Sequence, residues 1–140
     1  MNPPHETYLG SCLCGATRFS VRGPLGTMSH CHCTDCRKAH SAAFATFISM
    51  RREHVTWTSG GDQRGRHTAG SGAIRSFCPG CGSLLTWERP GDEEIDLAAA
   101  LFDTPVEARP RDHLFVRSKV SWYEIQDGLP QHQGHRSRPG

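Results

Sequence analysis

No stretch of this chain is apolar for long enough to cross a bilayer, which removes the helical membrane-spanning class. Its opening, MNPPHETYLG, lacks both the basic start and the apolar run of an export signal, so a soluble, cytoplasmic protein is expected. Basic blocks with interleaved aromatic residues are missing too, and with them the electrostatic track that nucleic acid would follow. No internal repeat of solenoid or propeller period is visible. The apolar fraction is only 36%, and 15 glycines with 9 prolines leave little room for long helices. A chain of 140 residues with this composition reads as one small domain of short strands, to whose stability bound metal would add usefully.

What is abundant is cysteine. Seven thiols cannot all pair internally, and in a reducing compartment metal ligation or catalysis is their expected use. The formal charge is +2; ionising all seven thiols around two zinc(II) ions would remove seven charges and return four, leaving −1. The faint basicity therefore gives no argument for a nucleic-acid partner.

Turn residues divide the rest into short segments. TRFSVRG (17–23), AFATFISM (43–50), VTWTSG (55–60), IRSF (74–77), LLTWE (84–88), IDLAAALFD (95–103), HLFV (113–116) and WYEI (122–125) read as strands. The IDLAAALF stretch suits a helical turn as well. SGGDQRGRHTAGSG (59–72) is polar and Gly-rich and reads as a loop, and TDCRKAHSA (34–42) is the single helix candidate. One domain over residues 1–130 is expected, with 131–140 as a flexible tail.

The cysteines fall into three groups: Cys12-Leu13-Cys14, Cys31-His32-Cys33-Thr34-Asp35-Cys36 and Cys78-Pro79-Gly80-Cys81. CPGCG is a zinc-knuckle pattern, in which Pro and Gly force a tight turn that aims two thiolates at one ion. A closed structural zinc needs four ligands, and a C-x-C pair on an extended strand presents both thiols on one face. Cys12, Cys14, Cys78 and Cys81 then form a closed site. Cys31, Cys33 and Cys36 remain as a three-thiolate set with one open coordination position, the pattern of a catalytic zinc. The rival partition is a ribbon of Cys33, Cys36, Cys78 and Cys81, which leaves Cys12, Cys14 and Cys31 spare.

His30, His32 and His40 are near enough in sequence to complete the second site. On strand alternation, His32 is expected to point away from the metal, as a supporting or exposed group, and His30 and His40 to be solvent-exposed. Asp35 and Arg37 read as a helix cap and a solvated charge, and Trp57, Trp87 and Trp122 as core.

The succession GSCLCGATRFSV, HCHCTDCRKAHSAAFATFI, RSFCPGCGSLLTW and HLFVRSKVSWYEIQDGLP resembles the glutathione-dependent formaldehyde-activating enzyme family, the CENP-V/GFA domain, over roughly residues 8 to 130. The resemblance implies a mainly β, Mss4-like fold of several small coiled antiparallel sheets organised around zinc, with little helix. It also implies two Zn2+ per chain: a structural one on Cys12, Cys14, Cys78 and Cys81, and a labile, activity-linked one on Cys31, Cys33 and Cys36. The implied activity is S-(hydroxymethyl)glutathione synthesis, with carbon-sulfur lyase chemistry in reverse, so glutathione and an aldehyde are the expected partners. Arg75 would offer a bidentate hold on a glutathione carboxylate, a solvent-facing Arg being the alternative. Two other classes stay open on residues alone, a zinc-stabilised binding module for protein or nucleic acid and a labile zinc or thiol buffer. The oligomeric state is not legible.

Overall fold

The computed structural model describes residues 6–136. Among them run β1 (Thr7–Ser11), β2 (Arg18–Arg22), β3 (Met28–Cys31), α1 (Thr34–His40), β4 (Ala45–Arg51), β5 (Val55–Ser59), β6 (Gly65–Thr68), β7 (Ile74–Phe77), β8 (Leu84–Glu88), β9 (Glu94–Ala98) and β10 (Pro110–Leu114), with four short 3-10 turns. The fold is mainly β with little helix. A three-stranded sheet has the order β1-β2-β5, and a seven-stranded sheet the order β10-β3-β4-β9-β8-β7-β6. Every strand pairing is antiparallel except β10 with β3.

Side-chain alternation builds the core between the sheets. In β2, Phe19 and Val21 are buried while Arg18 and Arg22 face water. They meet Met28, Ile48, Met50, Ile95 and Leu97 of the larger sheet, with Tyr8 from β1 completing the cluster. Phe19 lies so close over Gly10, its cross-strand partner, that a Cβ there would stand 2.1 Å from the ring. The opposite face of the larger sheet carries a second cluster of Ala45, Phe47, Ala98 and Cys36, the last from α1. A third cluster, around fully buried Leu85, includes Cys12 and Cys78. Cysteines thus sit at two of the three packing centres.

A polar link joins the sheets. Glu88 of β8 is bound by Arg52 and by Arg64, whose guanidinium stacks 4.0 Å over the Trp57 ring of β5. Burial works to raise the Glu88 carboxyl, but the Thr86 hydroxyl and the two arginines outweigh it and hold the group below the usual carboxylate range. A carboxylate depressed in the folded state stabilises at neutral pH, and that contribution is lost as pH falls from about 5 through its folded value. Glu88→Gln is therefore expected to cost about 1–3 kcal/mol at pH 7. In thermal melts from pH 7 to 3, the variant should lose less stability with acid than the parent.

Several elements differ from the sequence reading. The 59–72 segment, read as a loop, contains a 3-10 turn and β6, a polar edge strand held by its backbone pairing to β7. Strands β1 and β3 were not legible in the periodicity, and residues 122–125 form no strand. Trp122, expected in the core, is 73% exposed. IDLAAALFD divides, as β9 and then a 3-10 turn at Ala99–Leu101. Residues 131–136, expected as a flexible tail, run along β10. His132 exchanges backbone hydrogen bonds with His113 and Val116, and Arg136 donates to buried Asp112 at 2.6 Å, the cation that a buried carboxylate requires. Residues 137–140 lie outside the described residues. No helix among the described residues is long and apolar enough to cross a membrane.

Candidate metal centre

The seven thiols assemble as a four and a three. The sulfurs of Cys12, Cys14, Cys78 and Cys81 all lie within 4.8 Å of one another, and those of Cys31, Cys33 and Cys36 do the same. The ribbon pairing is not formed, because Cys33 and Cys36 fall in a different cluster from Cys78 and Cys81.

The four-thiol cluster is built from two turns. The chain leaves β1 and turns at Cys12, whose carbonyl accepts from Gly15 at 3.1 Å, with Gly15 at φ +79°. This corrects the extended-strand geometry expected for Cys12 and Cys14. Opposite, Gly82 N–H donates to Cys78 O at 2.7 Å and closes the knuckle between β7 and β8. Zinc-sulfur bonds of about 2.3 Å would set tetrahedral sulfur-sulfur edges of about 3.8 Å. Cys12 to Cys14 is 3.7 Å and Cys14 to Cys78 is 3.8 Å, so this donor set fits zinc. Backbone donors soften the charge, with Thr17 N–H 3.3 Å from Cys12 Sγ. Cys81 is drawn down to about 5, first by the Ser83 hydroxyl and then by backbone N–H groups.

The three-thiol cluster sits where β3 meets α1. Cys31 ends the strand, Cys33 is the N-cap of the helix and Cys36 lies in its first turn. Cys36 N–H donates to Cys33 Sγ at 3.2 Å, so the cap is Cys33 rather than Asp35, which is exposed in the first turn. Cys33 is pulled down to about 2, first by the Cys31 thiol and then by Cys36, while Cys31 is pushed far up, first by Cys33. Three thiols so close cannot all ionise alone. A divalent cation removes that conflict, and the set fits a metal held by three protein ligands.

These three thiols open onto a cavity of about 530 Å3, further lined by Phe47, Trp87 and Arg75. Arg75 is not at the surface. It is 7% exposed, its Nη2 stands 3.7 Å from Cys36 Sγ, and its Nε has no hydrogen-bond partner among the described residues. Cross-strand register places Ser49, Asp96, Trp87 and Arg75 in one row over four strands, so the cavity floor is a sheet face. Burial raises the Asp96 carboxyl, which accepts from the Ser49 hydroxyl at 2.6 Å.

The family model for the glutathione-dependent formaldehyde-activating enzyme matches residues 7–118, which span both cysteine clusters and the cavity floor. The chain belongs to this family. An uncharacterized lyase of Schizosaccharomyces pombe is 33% identical over 78 residues, covering 56% of this chain and 55% of the yeast protein. The chain thus matches about half the length of that relative. A Halomonas elongata protein, provisionally named a glutathione-dependent formaldehyde-activating enzyme, is 29% identical over 126 residues, covering 84% of this chain and 80% of its own. A Rhodobacter sphaeroides protein of known crystal structure shares the fold, with a TM-score of 0.59 at 22% identity over 71% of this chain and 91% of that one.

In this member of the family none of His30, His32 and His40 joins the three thiols, as strand alternation implied for His32, but His30 and His40 are not solvent-exposed as expected. His32 is fully buried, and its Nε2 lies 2.8 Å from His113 Nδ1; His30 and His40 are half-buried. Two groups escaped the sequence reading, the acidic cavity residue Asp96 and a cluster of His30, His113 and Asp127. Neither carries a local motif, since each depends on strand pairing between distant segments.

Proposed function

We propose that this protein is a zinc-dependent carbon-sulfur lyase of the S-(hydroxymethyl)glutathione synthase type, joining a thiol such as glutathione to formaldehyde or a related aldehyde. The observation that carries this reading is the contrast between the clusters: four thiols close on themselves, while three open onto a cavity. Cys12, Cys14, Cys78 and Cys81 would hold a structural zinc, and Cys31, Cys33 and Cys36 a second one.

When bound at the second cluster, zinc supplies a Lewis-acid position that lowers the pKa of an incoming thiol. The protein's own groups do the rest. The three thiolates preserve electron density on the substrate sulfur and keep it nucleophilic. Phe47 and Trp87 give the cavity an apolar wall, and the guanidinium of Arg75, which also lines it, would offer a donor to a substrate carboxylate. As the sulfur adds to the aldehyde carbon, the S–H proton departs and the adduct oxygen takes one up; the lyase direction reverses both transfers. Seven unpaired thiols suit a reducing compartment, and we place the protein in the cytoplasm.

Arg75 supports the cluster electrostatically from behind Cys36. Arg75→Met is expected to weaken metal retention by the three thiols about 10–100-fold, with the four-thiol site unchanged, as read by chelator competition.

The functional test replaces the second zinc with cobalt(II) and adds glutathione, then formaldehyde. A stronger sulfur-to-cobalt charge-transfer band on adding the thiol, with adduct formation above the uncatalysed rate, is expected. No added sulfur ligand and no acceleration would return the protein to the binding-module or metal-buffer classes.

A further inference from the structure

The HCHC run has two faces. Cys31 and Cys33 supply one cluster, and strand alternation sends His30 to the other side of the sheet, where it meets His113 of β10. The two histidines are register partners on neighbouring parallel strands, with ring centroids 4.8 Å apart. Asp127, from the segment after β10, closes the group, and one ligand atom from each of the three lies within 4.8 Å of the others. We propose that His30, His113 and Asp127 form a third metal site, for a divalent transition ion such as zinc, on the sheet face opposite the three-thiol cluster.

Second partners on the two rings support a site prepared for metal. Metal-binding histidines have their other nitrogen held by an outer hydrogen bond, which fixes tautomer and ring angle. His30 Nδ1 is 2.7 Å from the Thr46 hydroxyl, which leaves its Nε2 for a ligand. His113 Nδ1 is 2.8 Å from His32 Nε2, and its own Nε2 faces Asp127 Oδ2 at 2.8 Å. With a metal on His113 Nε2, the ring proton sits on Nδ1 and is donated to His32. His32 is then a positioning residue, which accounts for a fully buried imidazole at the heart of a cysteine motif. Phe44 packs edge-on against His30, with centroids 4.6 Å apart, and gives the site an apolar wall.

The donors also select the ion. Two imidazoles and one carboxylate suit zinc or another borderline transition metal, and are too few and too nitrogen-rich for calcium or magnesium. Asp127 is 41% exposed while His113 is fully buried, so the site lies at the edge of the packed interior with its carboxylate side reached by solvent. Such an ion would pin the irregular 120s segment to the sheet, independently of any chemistry at the thiols.

The experiment compares total metal per chain in tag-free, full-length protein with Asp127→Ala and His30→Gln. Both altered positions are partly exposed, so folding is expected to persist and is checked by circular dichroism. Each protein is saturated with cobalt(II), freed of loose ion by gel filtration, and its bound zinc plus cobalt counted by mass spectrometry. The expected result is about one equivalent more in the parent than in either variant, with identical sulfur-to-cobalt bands in all three. Equal totals would overturn the proposal and leave the cluster as a hydrogen-bonded relay. So would an extra equivalent in the parent that carries a sulfur band, since the ion would then belong to the thiols.

Discussion

Cys33→Ser should reduce thiol-dependent turnover to the uncatalysed background while leaving the fold standing. The substitution separates two roles held by one atom, since Cys33 Sγ is both a member of the three-thiol cluster and the acceptor that caps α1 at Cys36 N–H. Serine is among the best N-cap residues, so the helix start survives or improves. The metal-ligand role does not survive, because a serine hydroxyl stays protonated near neutral pH and is a poor partner for zinc. Outer hydrogen-bond partners of metal ligands cost about 10–100-fold when removed, so loss of a direct ligand should cost at least about 100-fold. Adduct formation from glutathione and formaldehyde, followed by NMR, measures the first effect; the melting temperature, within a few degrees of the parent, measures the second. A large fall in melting temperature would assign this cluster to folding and remove the contrast on which the proposed activity rests.

Cys78→Ser should do the reverse. Cys78 is 1% exposed and packs with Cys12 against fully buried Leu85, so its cluster is a packing centre as well as a ligand set. A structural zinc site is worth about 10–16 kcal/mol of apparent binding energy in small zinc domains, comparable to the whole stability of an ordinary domain. The variant is expected to lose that zinc and its cooperative thermal transition together, as seen by metal analysis and circular dichroism. Retention of a sharp melt near the parent temperature would show that Leu85 and its neighbours hold this corner without metal.

Strand β2 was legible in the sequence because burial on one face writes itself into every second residue, and β4 and β8 because short runs of β-branched and aromatic residues stand between turn signals. Strand β6, GRHT, was not: it is a polar edge held by backbone hydrogen bonds to β7, which leave no trace in side-chain pattern. WYEI misled for the opposite reason, since an aromatic, β-prone stretch runs where no partner strand reaches it, with Trp122 exposed and Tyr123 packed edge-on against Phe44. The grouping of thiols into four and three followed from ligand counting, because coordination number constrains distant residues in a way that periodicity cannot. Arg75 and Asp96 face the cavity through cross-strand register, and His113 meets His32 across 81 positions. Those placements were beyond local reading.

The four-thiol cluster has a bearing on the order in which the chain folds. Cys14 and Cys78 are 64 positions apart, so the cluster closes a long loop that contains β2 to β7. Closing such a loop costs entropy before any contact rewards it, and β1 cannot be locked to the β7–β8 turn until the ribosome has delivered Cys81. Refolding should therefore quicken with free zinc, and a nascent chain halted before Cys78 should remain sensitive to protease however well its first strands are made.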